Sequence, residues 1–388
     1  MVEHSVGRRR AMSISARTDV LAAAADAGAI ARAGADAAED ERRLPDATVK
    51  ALVEAGMMRL LVPSQYDGPG VDPMTFVAAV ERIARDDGAA GWCTAIASST
   101  SSMSLFLPEA SARMIFGPHD LVTGGVFAPN GSGVAGDGGV RVTGRWQWGS
   151  GTQHCDWIVG GVRCDDETFR LCWFPQDDVR FHDTWHTSGL RGTGSLDFSV
   201  EDAFVPDELT TQPGVTRPVV DVALSSFPMF ALLGIGIAAT ALGVARRALD
   251  ELVELAGAKR PQYASRSLAE QPYTHIELSR AEARVRSARS FLYDELSAAW
   301  EVADGGEPIS VEGRVAIRLA ALHATESAVA AVDAAYTLAG GSSVFSSNVL
   351  QRCLRDVHMA TQHVMVAPKL HATLGRSLVG LDIDTSML

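Results

Sequence analysis

Apolar residues recur at helical spacing through roughly the first third of the chain, lose that period in the middle, and regain it in four long stretches. From about Ala16 to Phe116 the stripe Leu21, Ala24, Ala25, Ala29 predicts one helix, and Pro45-Asp46 opens a second over Ala47–Met58. Asp72 reads as an N-cap with Pro73 at the first helical position, leading an apolar face of Phe76, Val77, Val80, Ile83 and Ala84. A further apolar helix is predicted from roughly Ala90 to Phe106, and Pro108 begins a short one. From about Leu121 to Pro206 glycine rises and short alternating runs take over. Val140–Val142, Trp157–Val159, Leu171–Phe174 and Leu196–Val200 read as strands, with turns expected at Asn130-Gly131 and Asp137-Gly138-Gly139. Trp146, Trp148, Trp157, Trp173 and Trp185 all fall in this segment, as in a compact all-β domain. From about Pro218 the stretches Val219–Gly257, Gln271–Val302, Val311–Leu338 and Asn348–Val379 predict an antiparallel bundle with alanine at its seams.

The reading is an α+β chain in three parts: residues 17–120 helical, 121–215 all-β and 216–388 a four-helix bundle, after a loose tail over 1–16. The run from Phe227 to Val244 is broken by Pro228, Gly234, Gly236, Thr240 and Gly243, so it reads as a core helix and not a membrane span. A net charge of −13 argues against a nucleic-acid footprint. Five cysteines (Cys93, Cys155, Cys164, Cys172, Cys353) form no CxxC pair and no disulfide framework, and no apolar stretch of signal-peptide length follows Arg8-Arg9-Arg10; the expected home is the cytoplasm. His182 and His186 lack the context of a metal site, and Gly131-Ser132-Gly133 and Gly136-Asp137-Gly138 lack that of a nucleotide-binding loop, so neither a metal nor a tightly bound nicotinamide is expected.

Five strings carry candidate chemistry. They are Gly144-Arg145-Trp146-Gln147-Trp148-Gly149-Ser150-Gly151; Thr184 to Ser195 with its Gly189-Leu190-Arg191-Gly192-Thr193 centre; Arg260-Pro261-Gln262-Tyr263; Leu338-Ala339-Gly340-Gly341; and Gln351-Arg352-Cys353-Leu354-Arg355-Asp356, followed by His358 and His363. With the order helices, sheet, bundle, they make nearly the whole chain resemble the acyl-CoA dehydrogenase superfamily. The nearest resemblance is to its flavin-dependent monooxygenase branch, the oxygenase components of hydroxyphenylacetate hydroxylases, steroid-ring hydroxylases, dibenzothiophene monooxygenase and antibiotic-tailoring hydroxylases.

That resemblance implies an N-terminal helical domain, a central β-barrel domain and a C-terminal four-helix bundle. It implies a cofactor, reduced FMN or FAD, supplied by a separate NAD(P)H:flavin reductase, and a homotetramer. By the same resemblance Trp148 and Trp185 wall the flavin ring, Ser150 holds N5, and Phe127 and Gly151 lie beside it. Arg260 with Tyr263 reaches phosphates, a task Lys259 or Arg266 could share, and Gly340-Gly341 admits a partner's cofactor. Oxygen transfer would pass through a flavin C4a-hydroperoxide.

The choice between oxygenase and dehydrogenase turns on a missing base. Taking a weakly acidic C–H proton needs a positioned carboxylate. The two places where dehydrogenases of this fold supply it, Val357 to Leu381 and Val222 to Leu249, hold no Asp or Glu. The resemblance places the branch's histidine at His363, which is expected to titrate near neutrality as the acid/base, with His358 about 140° away around a helix. Trp92, Ser98, Thr100 and Ser101 are expected at the substrate wall, although close helix packing also explains the serines. Phenol-hydroxylating members of the branch it resembles often carry a histidine on the helix after the Gly-Trp pair; none follows Trp92 here, so the resemblance favours a polycyclic, indole or amino-sugar substrate over a simple phenol. The alternatives are an acyl-CoA dehydrogenase with an atypical base and a non-catalytic ligand-binding scaffold.

Overall fold

The first segment folds as α1 (Ile14–Glu41), α2 (Asp46–Glu54), α3 (Pro73–Asp86), α4 (Gly88–Ser101) and α5 (Glu109–Phe116) in a computed structural model that describes residues 14–388. The tail expected over 1–16 lies outside the described residues as far as residue 13, and α1 already begins at Ile14. Asp72 caps α3 as its position implied, accepting the Thr75 N–H at 2.8 Å, and Asp87 caps α4 through the Ala90 N–H at 2.7 Å. Every residue of α4 is buried, because it packs between α3, α6 (Met229–Ala258) and the sheet. It stops at Ser101, short of the expected Phe106. The hydroxyls of Ser101, Ser102 and Ser104 each close on the carbonyl three residues back, and the chain tightens into a 3₁₀ turn over Ser102–Leu105.

The middle segment forms β1 (Thr123–Gly136), β2 (Gly139–Gly149), β3 (Trp157–Cys164), β4 (Phe169–Pro175), β5 (Arg180–His182), β6 (Leu196–Pro206) and β7 (Thr210–Thr211). All belong to one sheet in the order β5-β6-β2-β1-β3-β4-β7, with β1 and β3 parallel and the other pairs antiparallel. The edge strands β5 and β7 do not pair with each other, so the expected barrel is an open sheet. Asp137-Gly138 is the two-residue hairpin turn, with Gly138 at φ +75°. Asn130-Gly131 is not a turn. It lies inside β1, where the register with β3 shifts between Val126 and Gly131. Gly131 serves packing instead: a Cβ there would stand 2.5 Å from the indole of Trp146. That indole stacks on Phe198 at 5.1 Å and donates to the Gly161 carbonyl at 2.8 Å, at the centre of the core.

The last segment gives α6, α7 (Pro272–Asp304), α8 (Val311–Ala339), α9 (Val349–Ala360) and α10 (Leu370–Leu378). α6 is largely buried against α3, α4, α8 and α9, as a core helix should be. Residues 219–228 precede it without α-helix, forming only a 3₁₀ turn over Ala223–Ser226, and Pro228 stands at its N-terminus. The expected fourth helix is broken: α9 ends at Ala360 and α10 begins at Leu370. In the gap polar side chains take up the backbone, Thr361 donating to the His358 carbonyl and His363 accepting the Met365 N–H. His363 therefore stands on a turn.

Candidate active site

The end of β2, the buried helix α4 and the loop between β5 and β6 meet at one hydroxyl. Trp92 on α4 donates its indole N–H to Ser150 Oγ at 3.0 Å. Ser150 Oγ lies 2.7 Å from Ser195 Oγ, which lies 2.7 Å from Thr193 Oγ1, and Thr193 donates to the Leu190 carbonyl at 2.8 Å. The carbonyl can only accept, so it sets the direction of the chain. With the Thr193 proton on Leu190 O, Ser195 donates to Thr193 and Ser150 donates to Ser195. A hydroxyl has one proton and two lone pairs. Ser150 has placed its proton and filled one lone pair with the Trp92 N–H. It retains one acceptor site and nothing to donate.

On the other side of Trp92 stands His363, its ring edge-on to the indole with centroids 5.7 Å apart. Its Nδ1 accepts the Met365 N–H at 3.2 Å, which puts the ring proton of the neutral form on Nε2. Desolvation, then the charge of Arg318, pushes this imidazole down to about 4. The expectation of a group titrating near neutrality is corrected accordingly: His363 is a neutral Nε2–H donor across the physiological range. Among the described residues no carboxylate is among the groups acting on it. His358 is exposed and paired with Asp333 at 2.8 Å, so the two histidines are separated as surface and cleft. Ile96, Ile237, Met365 and Val366, with Phe230 packed alongside, enclose Trp92 in apolar side chains.

The other expected site residues divide by position. Trp148, two residues before Ser150, is 69% exposed and held at φ +66°, a left-handed conformation unfavourable for a bulky residue. Phe127 on β1 meets Phe230 edge-on at 6.4 Å, and Gly151 turns at φ +68°. Trp185 is buried and donates to the Leu190 carbonyl at 3.1 Å, closing its own loop. Arg260 and Tyr263 are exposed in the turn after α6, near Gly340 and Gly341 at the end of α8, where Lys259 Nζ donates to the Ala339 carbonyl. At 1.5 Å per residue, α6 carries them roughly 40 Å from Phe230. They form a second group, apart from Ser150 and His363.

Packing occupies the hydroxyls of two of the expected wall serines. Ser98 donates to the Met57 carbonyl and Ser101 to the Ser98 carbonyl, both at 2.8 Å, and Thr100 is buried on the same helix; of the four substrate candidates Trp92 alone stands beside Ser150 and His363. Three contributors were not singled out from the sequence. Thr193 and Ser195 lay unassigned within a quoted string. Arg318 had a legible signal, a lone cation in the apolar run Val315-Ala316-Ile317-Arg318-Leu319-Ala320.

Behind this site lies a polar cavity of about 190 Å³ lined by Asp87, Asp356, Arg247 and Arg352. Asp356 accepts the Leu190 N–H at 2.6 Å and so ties α9 to the loop carrying Thr193 and Ser195. Burial pushes Asp356 up to about 7 and Asp87 up to about 6. A raised carboxylate keeps its proton in the folded state while the unfolded chain releases it, so its stabilisation is complete at low pH and is lost as pH rises. Thermal melts should therefore show stability falling between about pH 4 and about pH 7. Asp356→Asn should flatten that fall and match or exceed the native protein above pH 7; an unchanged slope would remove Asp356 as its source.

Comparison with known proteins extends this picture. Residues 19–108 match the acyl-CoA dehydrogenase N-terminal domain, and residues 235–368 match the acyl-CoA dehydrogenase C-terminal domain. The chain is 31% identical over 346 residues to the indole-3-acetate monooxygenase of Pseudomonas putida, which covers 88% of each chain. It is 31% identical over 373 residues to HsaA of Rhodococcus jostii, the oxygenase subunit of a flavin-dependent monooxygenase, covering 92% of this chain and 97% of that one. XiaF from Streptomyces, solved in complex with FADH2 and glycerol, is similar with a TM-score of 0.90 at 25% identity, over 95% of this chain and 96% of its own.

Proposed function

The chain belongs to the acyl-CoA dehydrogenase family, in its flavin-dependent monooxygenase branch, and from that premise we propose that it is the oxygenase component of a two-component system acting on an aromatic substrate. Reduced FMN or FAD, when bound, supplies the two electrons with which O2 gives one oxygen atom to the substrate and the other to water. The partner is an NAD(P)H:flavin reductase, and the enzyme works in the cytoplasm as a homotetramer. The single observation behind this reading is the directed chain that ends on Ser150. Its one remaining lone pair suits an N–H donor, which a reduced flavin has at N5 and an oxidised flavin lacks. A flavin accepting at N5 would find no proton there.

The neighbouring residues suit the same task. Trp148 offers an aromatic face two residues before Ser150, Gly151 follows Ser150 directly, and Phe127 meets Phe230, which packs in the cluster around Trp92. Trp92, Ile96, Ile237 and Phe230 keep water from the cleft, so an oxygen-transfer step is protected from hydrolytic leakage. His363 directs its Nε2 proton to the reacting oxygen or to a substrate hydroxyl. The segments Val357 to Leu381 and Val222 to Leu249 carry no Asp or Glu to serve as a dehydrogenase base. Arg260, Tyr263, Gly340 and Gly341, at the remote end of α6 and α8, serve the phosphates of a cofactor seated in a neighbouring subunit.

Feeding the protein reduced FAD or FMN from a flavin reductase, with O2 and a panel of aromatic compounds, should give a hydroxylated product and tighter binding of reduced than of oxidised flavin. Stoichiometric peroxide with every substrate, or bleaching of bound oxidised flavin by an acyl-CoA, would sink the proposal.

A further inference from the structure

Arg318 is 1% exposed and lies on α8, facing the first turn of α6. Its Nη1 donates to the Phe230 carbonyl at 3.3 Å, a long bond. Nε and Nη2 are buried, and neither has a hydrogen-bond partner among the described residues. Among the described residues no acid offsets the charge either: desolvation lowers the group to about 10. An arginine in this position is normally paired with a carboxylate, since burying an unpaired charge is costly.

The surroundings place that charge beside the His363 turn. A Cβ on Gly234 would stand 2.4 Å from Arg318 Nη1 and 3.7 Å from the Met365 carbonyl, so the bare backbone of α6 makes room for the guanidinium beside the His363 turn. Phe230, whose carbonyl it touches, packs in the apolar cluster around Trp92. The electrostatic effect of Arg318 reaches His363 itself. The two free nitrogens also have a meaning as a pair. Nε–H and one Nη2–H lie parallel along one edge of the guanidinium, spaced to meet the two oxygens of a carboxylate.

We infer that Arg318 is the specificity-determining residue for an anionic substrate, and that its free Nε/Nη2 edge receives the carboxylate of an aryl or indolyl carboxylic acid whose ring lies against Trp92 and Phe230. This rests on the oxygenase reading and narrows its substrate class. The apolar wall holds the ring, the guanidinium fixes the acid end, and together they set which ring position faces His363. A neutral analogue keeps the wall contacts and leaves the buried charge as it was.

The test measures binding without turnover. Protein loaded with reduced FAD under anaerobic conditions is titrated calorimetrically with benzoate, phenylacetate and indole-3-acetate and with the three corresponding amides. At least one acid should bind roughly 30-fold or more tighter than its amide. Arg318→Met should erase that preference while leaving amide affinity unchanged, and Arg318→Lys should keep part of it through charge without the two-point fit. Melting of unliganded Arg318→Met should occur at or above the native temperature, because a buried unpaired charge has gone. Equal binding of acids and amides by the native protein, no binding of any acid, or a preference that survives Arg318→Met would each overturn the assignment. Flavin affinity, measured in separate titrations with reduced and with oxidised FAD, separates this failure from failure of the oxygenase reading: intact preference for reduced flavin with indifference to carboxylate defeats the substrate assignment alone.

Discussion

Replacing His363 by alanine is expected to lower substrate oxygenation by roughly two to four orders of magnitude, the range lost with a positioned proton donor. Reoxidation of reduced flavin should continue, and the missing product should appear as hydrogen peroxide. The physical reason lies in the tautomer. Met365 N–H occupies Nδ1, so Nε2 carries the proton, and the edge-on contact with Trp92 fixes the ring plane. The imidazole is pushed down to about 4 by burial and by Arg318, so the proton on Nε2 belongs to a neutral ring. A depressed histidine gives its stabilisation above its ordinary value of 6.5 and loses it as pH falls toward 4. The pH profile of product formation should therefore lack a break near neutrality and decline only in acid. A break at neutral pH that vanished in His363→Ala would show that the ring titrates there, contrary to this account. His363→Gln, which retains a donor, should recover part of the coupling.

Ser150→Ala should have the second-largest effect, on flavin binding and on coupling together. It removes the acceptor for a flavin N–H and also strands the indole N–H of Trp92, a buried donor whose loss of partner costs about 1–3 kcal/mol. Reduced-flavin affinity should fall about tenfold or more in anaerobic titration, with most of the oxygen diverted to peroxide. Ser195→Ala is the sharper probe. It cuts the chain one link further on and returns a free proton to Ser150, which can then donate as well as accept. Affinity for oxidised flavin should rise while that for reduced flavin changes little. Unchanged preference between the two redox states in Ser195→Ala would contradict the directed chain, whatever Ser150→Ala does.

Much of the site was within reach of the sequence, in fragments. Ser150, Trp148 and Gly151 occur in one octapeptide, and His363 follows the Arg355-Asp356 pair, so each was visible as a motif residue. The relation among them was not. Trp92 and Ser150 are 58 residues apart and Ser150 and Ser195 are 45 apart, so the direction of the proton chain exists only once three segments meet. The serines after Trp92 show the converse. They were legible as small polar residues, and only folding revealed that Ser98 and Ser101 turn their hydroxyls to nearby carbonyls. Arg318 stood in an apolar run, but no local rule indicates that its Nε and Nη2 would lack partners.

What the sequence determined by itself is whatever depends on neighbours a few positions away. The cap at Asp72, the Asp137-Gly138 hairpin, the strand runs, three of the four long bundle helices and the absence of a carboxylate from Val357 to Leu381 are all of this kind. Tertiary structure decided whatever depends on burial or on groups distant in the chain. It broke the last helix at Ala360, set His363 on a turn and stripped its charge by desolvation, and put an unpaired arginine beside it. Backbone dihedrals and caps respond to local sterics and hydrogen bonds, whereas protonation and proton direction respond to the dielectric and donors that only a closed core brings together.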